Sequence, residues 1–152
     1  MPKLRQIETI QFKIPADPKY VSAIRRAVQA VARNLNFPDD SVDDIGISVD
    51  EALSNAVKYG SPERGYNAVA VNCKVGDGAL TIEVRDEGPG FGPPGSGEQD
   101  VFEEHGRGLK LIYRLMDSVH IDRMSKGSRI RMVKSMHAPP KKALCKKAVA
   151  KP

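Results

Sequence analysis

A chain of 152 residues with 40% apolar and 28% charged residues fits one globular domain around a single core, and no apolar run approaches a membrane span of about eighteen residues. Its net charge of +5 is unevenly placed: Lys141, Lys142, Lys146, Lys147 and Lys151 stand in an acid-free stretch, leaving 19 basic against 19 acidic side chains in 1–136. A neutral body argues against direct nucleic-acid binding, so the expected organisation is a cytoplasmic domain over 1–136 followed by a basic, disordered tail over 137–152.

Residues Ile7 to Ile14 alternate with β-branched content and predict a strand, ended by Pro15 and Pro18. From Pro18 to Asn36, Val21, Ile24, Val28, Val31 and Leu35 recur at threes and fours, the pattern of an amphipathic helix with Arg25, Arg26 and Arg33 outside. Asn36 to Asp39 is the break. A second helix is expected from Ser41, as N-cap, to Tyr59, with Gly60 as its stop. Strands over Asn67–Val75 and Ala79–Asp86 flank a hairpin turn at Gly76-Asp77-Gly78. The glycine- and proline-rich stretch 87–105 predicts a long loop, of a length that is more often functional than idle. A helix from Gly106 to Asp117 and strands over Val119–Met124 and Ser128–Val133 complete the order. The expected fold class is α/β (α+β): a two-layer sandwich of a mixed or antiparallel sheet with helices on one face. Cys73 and Cys145 have no metal-binding or disulfide spacing, and Cys73 reads as core filler.

Three short segments could carry chemistry. On the second helix Ile45, Val49, Ala52, Leu53 and Ala56 form the apolar stripe, while Asp44, Ser48, Glu51, Asn55 and Lys58 share an arc of roughly 80° at 100° per residue. Glu51 and Asn55 are one turn apart and project together, a pairing suited to a hard cation and a hydroxyl beside it. At the end of a strand, Asp86-Glu87-Gly88-Pro89-Gly90 offers a carboxylate to an exocyclic amine, with glycines that let backbone approach a flat ligand. Gly106-Arg107-Gly108-Leu109 is expected to open a helix, where unhindered amides suit phosphate.

Taken in order, these segments resemble the ATPases that group gyrase, the heat-shock chaperone, histidine kinases and the mismatch-repair protein, which share the Bergerat ATP-binding fold. Glu51-Ala52-Leu53-Ser54-Asn55-Ala56 is similar to that family's N box, Asp86 to Gly90 to its G1 box, and Gly106 to Leu109 to its G2 box. The resemblance spans about residues 7–134. The short form, with Leu115-Met116-Asp117-Ser118-Val119 near its end, is most similar to bacterial anti-sigma factor serine kinases. It implies Glu51 as general base, Asn55 as Mg²⁺ holder, Asp86 as reader of the adenine amino group, and the Gly106–Gly108 backbone as phosphate binder, with Arg107 and Leu109 among the nucleotide-binding residues. Gly88 and Gly90 would flank the adenine, and Lys58 would approach phosphate. Ser128 stands where the family commonly has threonine near the adenine, and Lys110 where a small residue is usual.

The same resemblance implies an ATP- and Mg²⁺-dependent protein serine/threonine kinase that sequesters a sigma factor and phosphorylates an antagonist protein, with homodimerisation. The competing expectation is a nucleotide-gated binding module that transfers nothing; Glu51 favours catalysis, since pure binding needs no base. His105, His120 and His137 lack the helical setting of a phosphoacceptor, so a complete sensor histidine kinase is not expected.

Overall fold

Alternating side chains build a five-stranded sheet whose central inward rows are apolar and whose outward rows are mostly polar or charged. The computed structural model describes residues 8–61, 63–88 and 98–137. Its strands are β1 (Glu8–Pro15), β2 (Ala68–Gly76), β3 (Ala79–Arg85), β4 (Ser118–Arg123) and β5 (Ser128–Ser135), in spatial order β1-β2-β3-β5-β4. One inward row runs Phe12, Val71, Val84, Ile130, Ile121 across all five strands; the next runs Ile10, Cys73, Ile82, Met132, Val119. All four pairings are antiparallel, so the mixed sheet is replaced by the antiparallel alternative. β3 and β4 each run opposite to β5 and therefore parallel to each other, with β5 inserted between them. The physical reason lies in the connections. A pair of helices between β1 and β2 returns the chain for antiparallel pairing, and the single helix between β3 and β4 permits only a parallel relation.

The helices are α1 (Val21–Asn34), α2 (Asp39–Lys58) and α3 (Glu98–Leu115). They cover one sheet face, α2 lying over β2, β3 and β5 and α3 against β4. Val21, Ile24 and Val28 of α1 are buried, as is the whole predicted stripe of α2, Ile45, Val49, Ala52, Leu53 and Ala56. Between the helices Asn36 adopts φ +62°, the left-handed conformation that asparagine tolerates at a helix end. The β2–β3 turn has positive φ at both Asp77 and Gly78, the type I′ geometry that matches strand twist.

Two helix starts differ from expectation. α2 begins at Asp39 with Pro38 as N-cap, and Ser41 is buried inside it instead of capping it. Proline sets the entry and Asp39 and Asp40 supply the acidic first turn, so the helix starts as soon as the chain leaves the break. α3 begins at Glu98, not Gly106. The glycines and prolines of the expected long loop all fall within 88–97; residues 98–105 contain neither, and nothing there interrupts a helix. Residues 89–97, with Gly90, and the tail beyond residue 137 lie outside the described residues. Among the described residues no helix is long and apolar enough to cross a membrane.

Candidate functional site

At the end of β3 the chain turns inward with Asp86, a carboxylate only 6% exposed. Its backbone amide donates to the Ser128 carbonyl at 3.0 Å, which continues the β3–β5 ladder by one more bond and fixes where the side chain leaves the sheet. The amides of Gly88 and Ser128 both donate to Oδ1 at 3.1 Å, and the Ser128 hydroxyl donates to Oδ2 at 2.7 Å. Bonds to a charged acceptor are worth about 1.5–3 kcal/mol each, so the carboxylate is held in one orientation.

Glycines make room for it. A Cβ on Gly60 would stand 2.2 Å from the Asp86 carboxyl carbon, one on Gly88 would stand 2.0 Å from the Gly60 carbonyl oxygen, and one on Gly127 would stand 1.9 Å from the Asp86 carbonyl oxygen. Gly127 also has φ +83°, so glycine is required there twice over. The C-terminal turn of α2, β3 and the β4–β5 turn thus meet at Asp86.

Beside it lies a cleft walled by Asn55, Tyr59, Gly60, Leu109 and Ser128, with Val84 and Ile130 as apolar floor. A flat, partly apolar ligand carrying a hydrogen-bond donor for Asp86 suits this mixture. About 20 Å³ of the cleft is free, space for a water and far below that of a purine. Leu109, 2% exposed, narrows it from the α3 side.

The expected residues divide clearly. Asn55, Asp86, Leu109 and Ser128 line the cleft, and Gly88 binds Asp86. Half-buried Glu51 points at α3: a Cβ on Gly108 would come within 2.2 Å of its Oε2, so that glycine admits the carboxylate. Gly106, Arg107 and Gly108 lie within α3, not at its start, so their amides belong to the helix; Arg107 is exposed. Lys58 lines a neighbouring groove with Asp50, Ser54 and Val21, its amine 5.0 Å from the Tyr59 ring centre. Lys58 is the last residue of α2; it shares the arc of Glu51 and Asn55 by spacing but lines the neighbouring groove and not the cleft. Gly60 and Tyr59 were not anticipated as site residues. In the sequence Gly60 marks a helix stop, and the signal for more is its position directly after the Asn55 turn.

No group of three or more His, Cys, Asp or Glu side chains among the described residues could hold a metal ion. Asn55 offers an amide oxygen in the same cleft as Asp86, Ser128 and Tyr59.

The family model described as histidine kinase-like ATPase domain matches residues 14–134. The chain is 32% identical to the serine-protein kinase RsbW of Bacillus velezensis, over 86% of this chain and 88% of that one. Identity to the serine-protein kinase RsbW of Bacillus subtilis is 33%, over 84% and 86%. Among solved structures, the RsbU and RsbW domains of a Mycobacterium tuberculosis protein superpose with TM-score 0.66 at 15% identity, covering 84% of this chain and 32% of the other. The last likeness speaks for the fold alone. With the matched region spanning residues 14–134, the chain belongs to the histidine kinase-like ATPase domain family, in the branch of the RsbW serine-protein kinases.

Proposed function

We propose that this protein is an ATP-dependent serine kinase acting on a partner protein, and that it holds a sigma factor which that partner competes to release. The observation that carries the reading is the fixed, buried Asp86 in one cleft with Asn55, with Glu51 one turn before Asn55 on α2. The first is a fixed, buried acceptor for an adenine amino group; the other two lie one and two helical turns back along α2, towards where phosphates would extend.

In the proposed reaction Glu51 takes the proton from a serine hydroxyl of the partner as the hydroxyl oxygen attacks the γ-phosphorus. The bond to the β–γ bridging oxygen breaks, and its electron pair leaves with ADP. Mg²⁺ would be held through Asn55 together with phosphate oxygens, a donor set that fits the ion's habit of taking few protein ligands, and it would neutralise charge on the phosphates. Asp86 and Ser128 orient the base; Leu109 covers it.

Admitting a purine into the cleft requires Leu109 to shift, and binding phosphate requires the Gly106–Gly108 amides to leave the helix. Two glycines inside a helix each cost about 1 kcal/mol relative to alanine, which lowers the barrier to that unwinding. Homodimerisation and a cytoplasmic setting belong to the same proposal.

The test compares two variants in a phosphate-transfer assay, with partners captured in the presence and absence of ATP. Glu51→Gln should keep Mg-ATP affinity within a few fold while transfer falls roughly 10²- to 10⁴-fold, the usual contribution of a positioned base. Asn55→Ala should weaken metal-dependent nucleotide binding itself. Unchanged transfer by Glu51→Gln removes that residue as base. A parent that captures and releases a partner with the nucleotide, yet transfers no phosphate, is instead a nucleotide-gated binding module.

A further inference from the structure

Lys134 stands on the inward face of β5, next to Leu80 in the row beyond Cys73 and Ile82, where alternation calls for an apolar side chain. It is 8% exposed. Its Nζ donates to Asp44 Oδ2 of α2 at 3.1 Å and to the carbonyl oxygen of Leu115, the last residue of α3, at 2.5 Å. A lysine is costly to bury unless paired, and the carbonyl it takes is one of those a helix end leaves without a partner.

The positions of its two partners are informative. Asp44 is seven residues before Glu51, and Leu115 is seven residues after Gly108. At about 1.5 Å rise per residue, both intervals are roughly 10 Å along antiparallel helices. The Lys134 contact and the Glu51–Gly108 contact are therefore two level points of one α2–α3 seam. Between them the seam offers Ser48 and Ile112, both fully buried, with no hydrogen bond to the Ser48 hydroxyl. Close packing of such side chains resists separation but tolerates sliding better than a directional bond does. Sliding matters because a Cβ in place of Gly108 would stand 2.2 Å from Glu51 Oε2: a slip of one residue moves α3 about 1.5 Å, turns it about 100°, and brings Arg107 or Leu109, each with a Cβ, towards the carboxylate.

We infer that Lys134 is a positioning residue, which anchors the C-terminal end of α3 against α2 and so sets the register from which the Gly106–Gly108 segment, helical or unwound, faces Glu51. It touches neither nucleotide nor acceptor. The inference rests on the proposed kinase reading for its catalytic consequence, and on geometry alone for the register.

The test uses Lys134→Met, which keeps the aliphatic stem and removes both bonds, and Asp44→Asn, which retains an acceptor for the amine and guards against a variant that fails to fold. Lys134→Met should bind adenosine, which needs only the Asp86 end of the cleft, within about threefold of the parent. Its kcat for phosphate transfer should fall about 10- to 100-fold, the cost of an ångström-scale misplacement. Amide hydrogen exchange should quicken across residues 107–115 and stay unchanged across β2 and β3. Asp44→Asn should lie between the parent and Lys134→Met in both readouts. A lowered melting temperature with unchanged kcat and unchanged exchange in α3 would reduce Lys134 to a structural residue and overturn the inference. Should the parent transfer no phosphate, the kinase reading fails, and exchange in α3 still decides the register lock.

Discussion

Asp86 and Asp122 are two carboxylates at the two faces of one sheet, both held through β5, and they are held in opposite ways. Asp86 is enclosed on the helix side by backbone amides and a serine hydroxyl, with glycines cleared around it. Asp122 stands on the open side, where Arg129 Nε donates to it at 3.0 Å and His120 Nε2 lies 2.9 Å away. The Arg129 hydrogen bond is the main reason its pKa is lowered from 3.8, and the same bond raises that of Arg129. Neighbouring residues of one strand supply these partners, Ser128 inward and Arg129 outward. Enclosure by dipoles fixes an acceptor in place for a ligand, whereas pairing with mobile cations in water neutralises a charge at little gain in order.

Breaking the enclosed carboxylate should have the largest effect. Asp86→Asn keeps shape but turns an acceptor towards three donors into a partial donor, and ATP affinity measured by calorimetry should fall about tenfold to a hundredfold. Asp122→Asn should change it less than twofold. Next in size is Gly127→Ala, which forces a side chain into a positive-φ position against the Asp86 carbonyl. It should lower stability by about 1–3 kcal/mol in denaturant titrations, and weaken ATP with it. The smallest effect belongs to the open face. A depressed carboxylate stabilises the fold above its unfolded pKa near 3.8 and loses that contribution as pH falls through its lower folded value. Melting temperatures taken from pH 5 to pH 3 should therefore drop more for the parent than for Asp122→Asn. Equal slopes would leave the Asp122–Arg129 pair without a role in stability.

The element order was legible because periodicity and turn chemistry are local: the Asp77-Gly78 turn and the α2 stripe announce themselves within a few residues. Asp86 and Ser128 were legible for a different reason, the resemblance of their motifs. Three features were hidden. Gly60 is a site residue only because a strand 26 positions later brings Asp86 against it, a contact that no window of sequence contains. Lys58 follows Glu51 and Asn55 by spacing, yet it faces the neighbouring groove, since one more helical turn reaches past the cleft. Lys134 puts a lysine where the alternation of β5 calls for an apolar side chain, one residue beyond the predicted strand; its reason lies in α2 and α3, which the strand cannot reveal.

Cys73 occupies the second inward row of the sheet, fully buried, and burial pushes its thiol up to about 11. At neutral pH roughly one molecule in 10⁴ carries the thiolate, the form that alkylating reagents and oxidants attack. The sulfur is thus chemically silent while the sheet is closed and reactive once β2 parts from its neighbours. With Cys145 replaced by serine, the rate of thiol labelling becomes a clock for opening of the sheet, already built into the native chain and placed where it disturbs neither the cleft nor the helices.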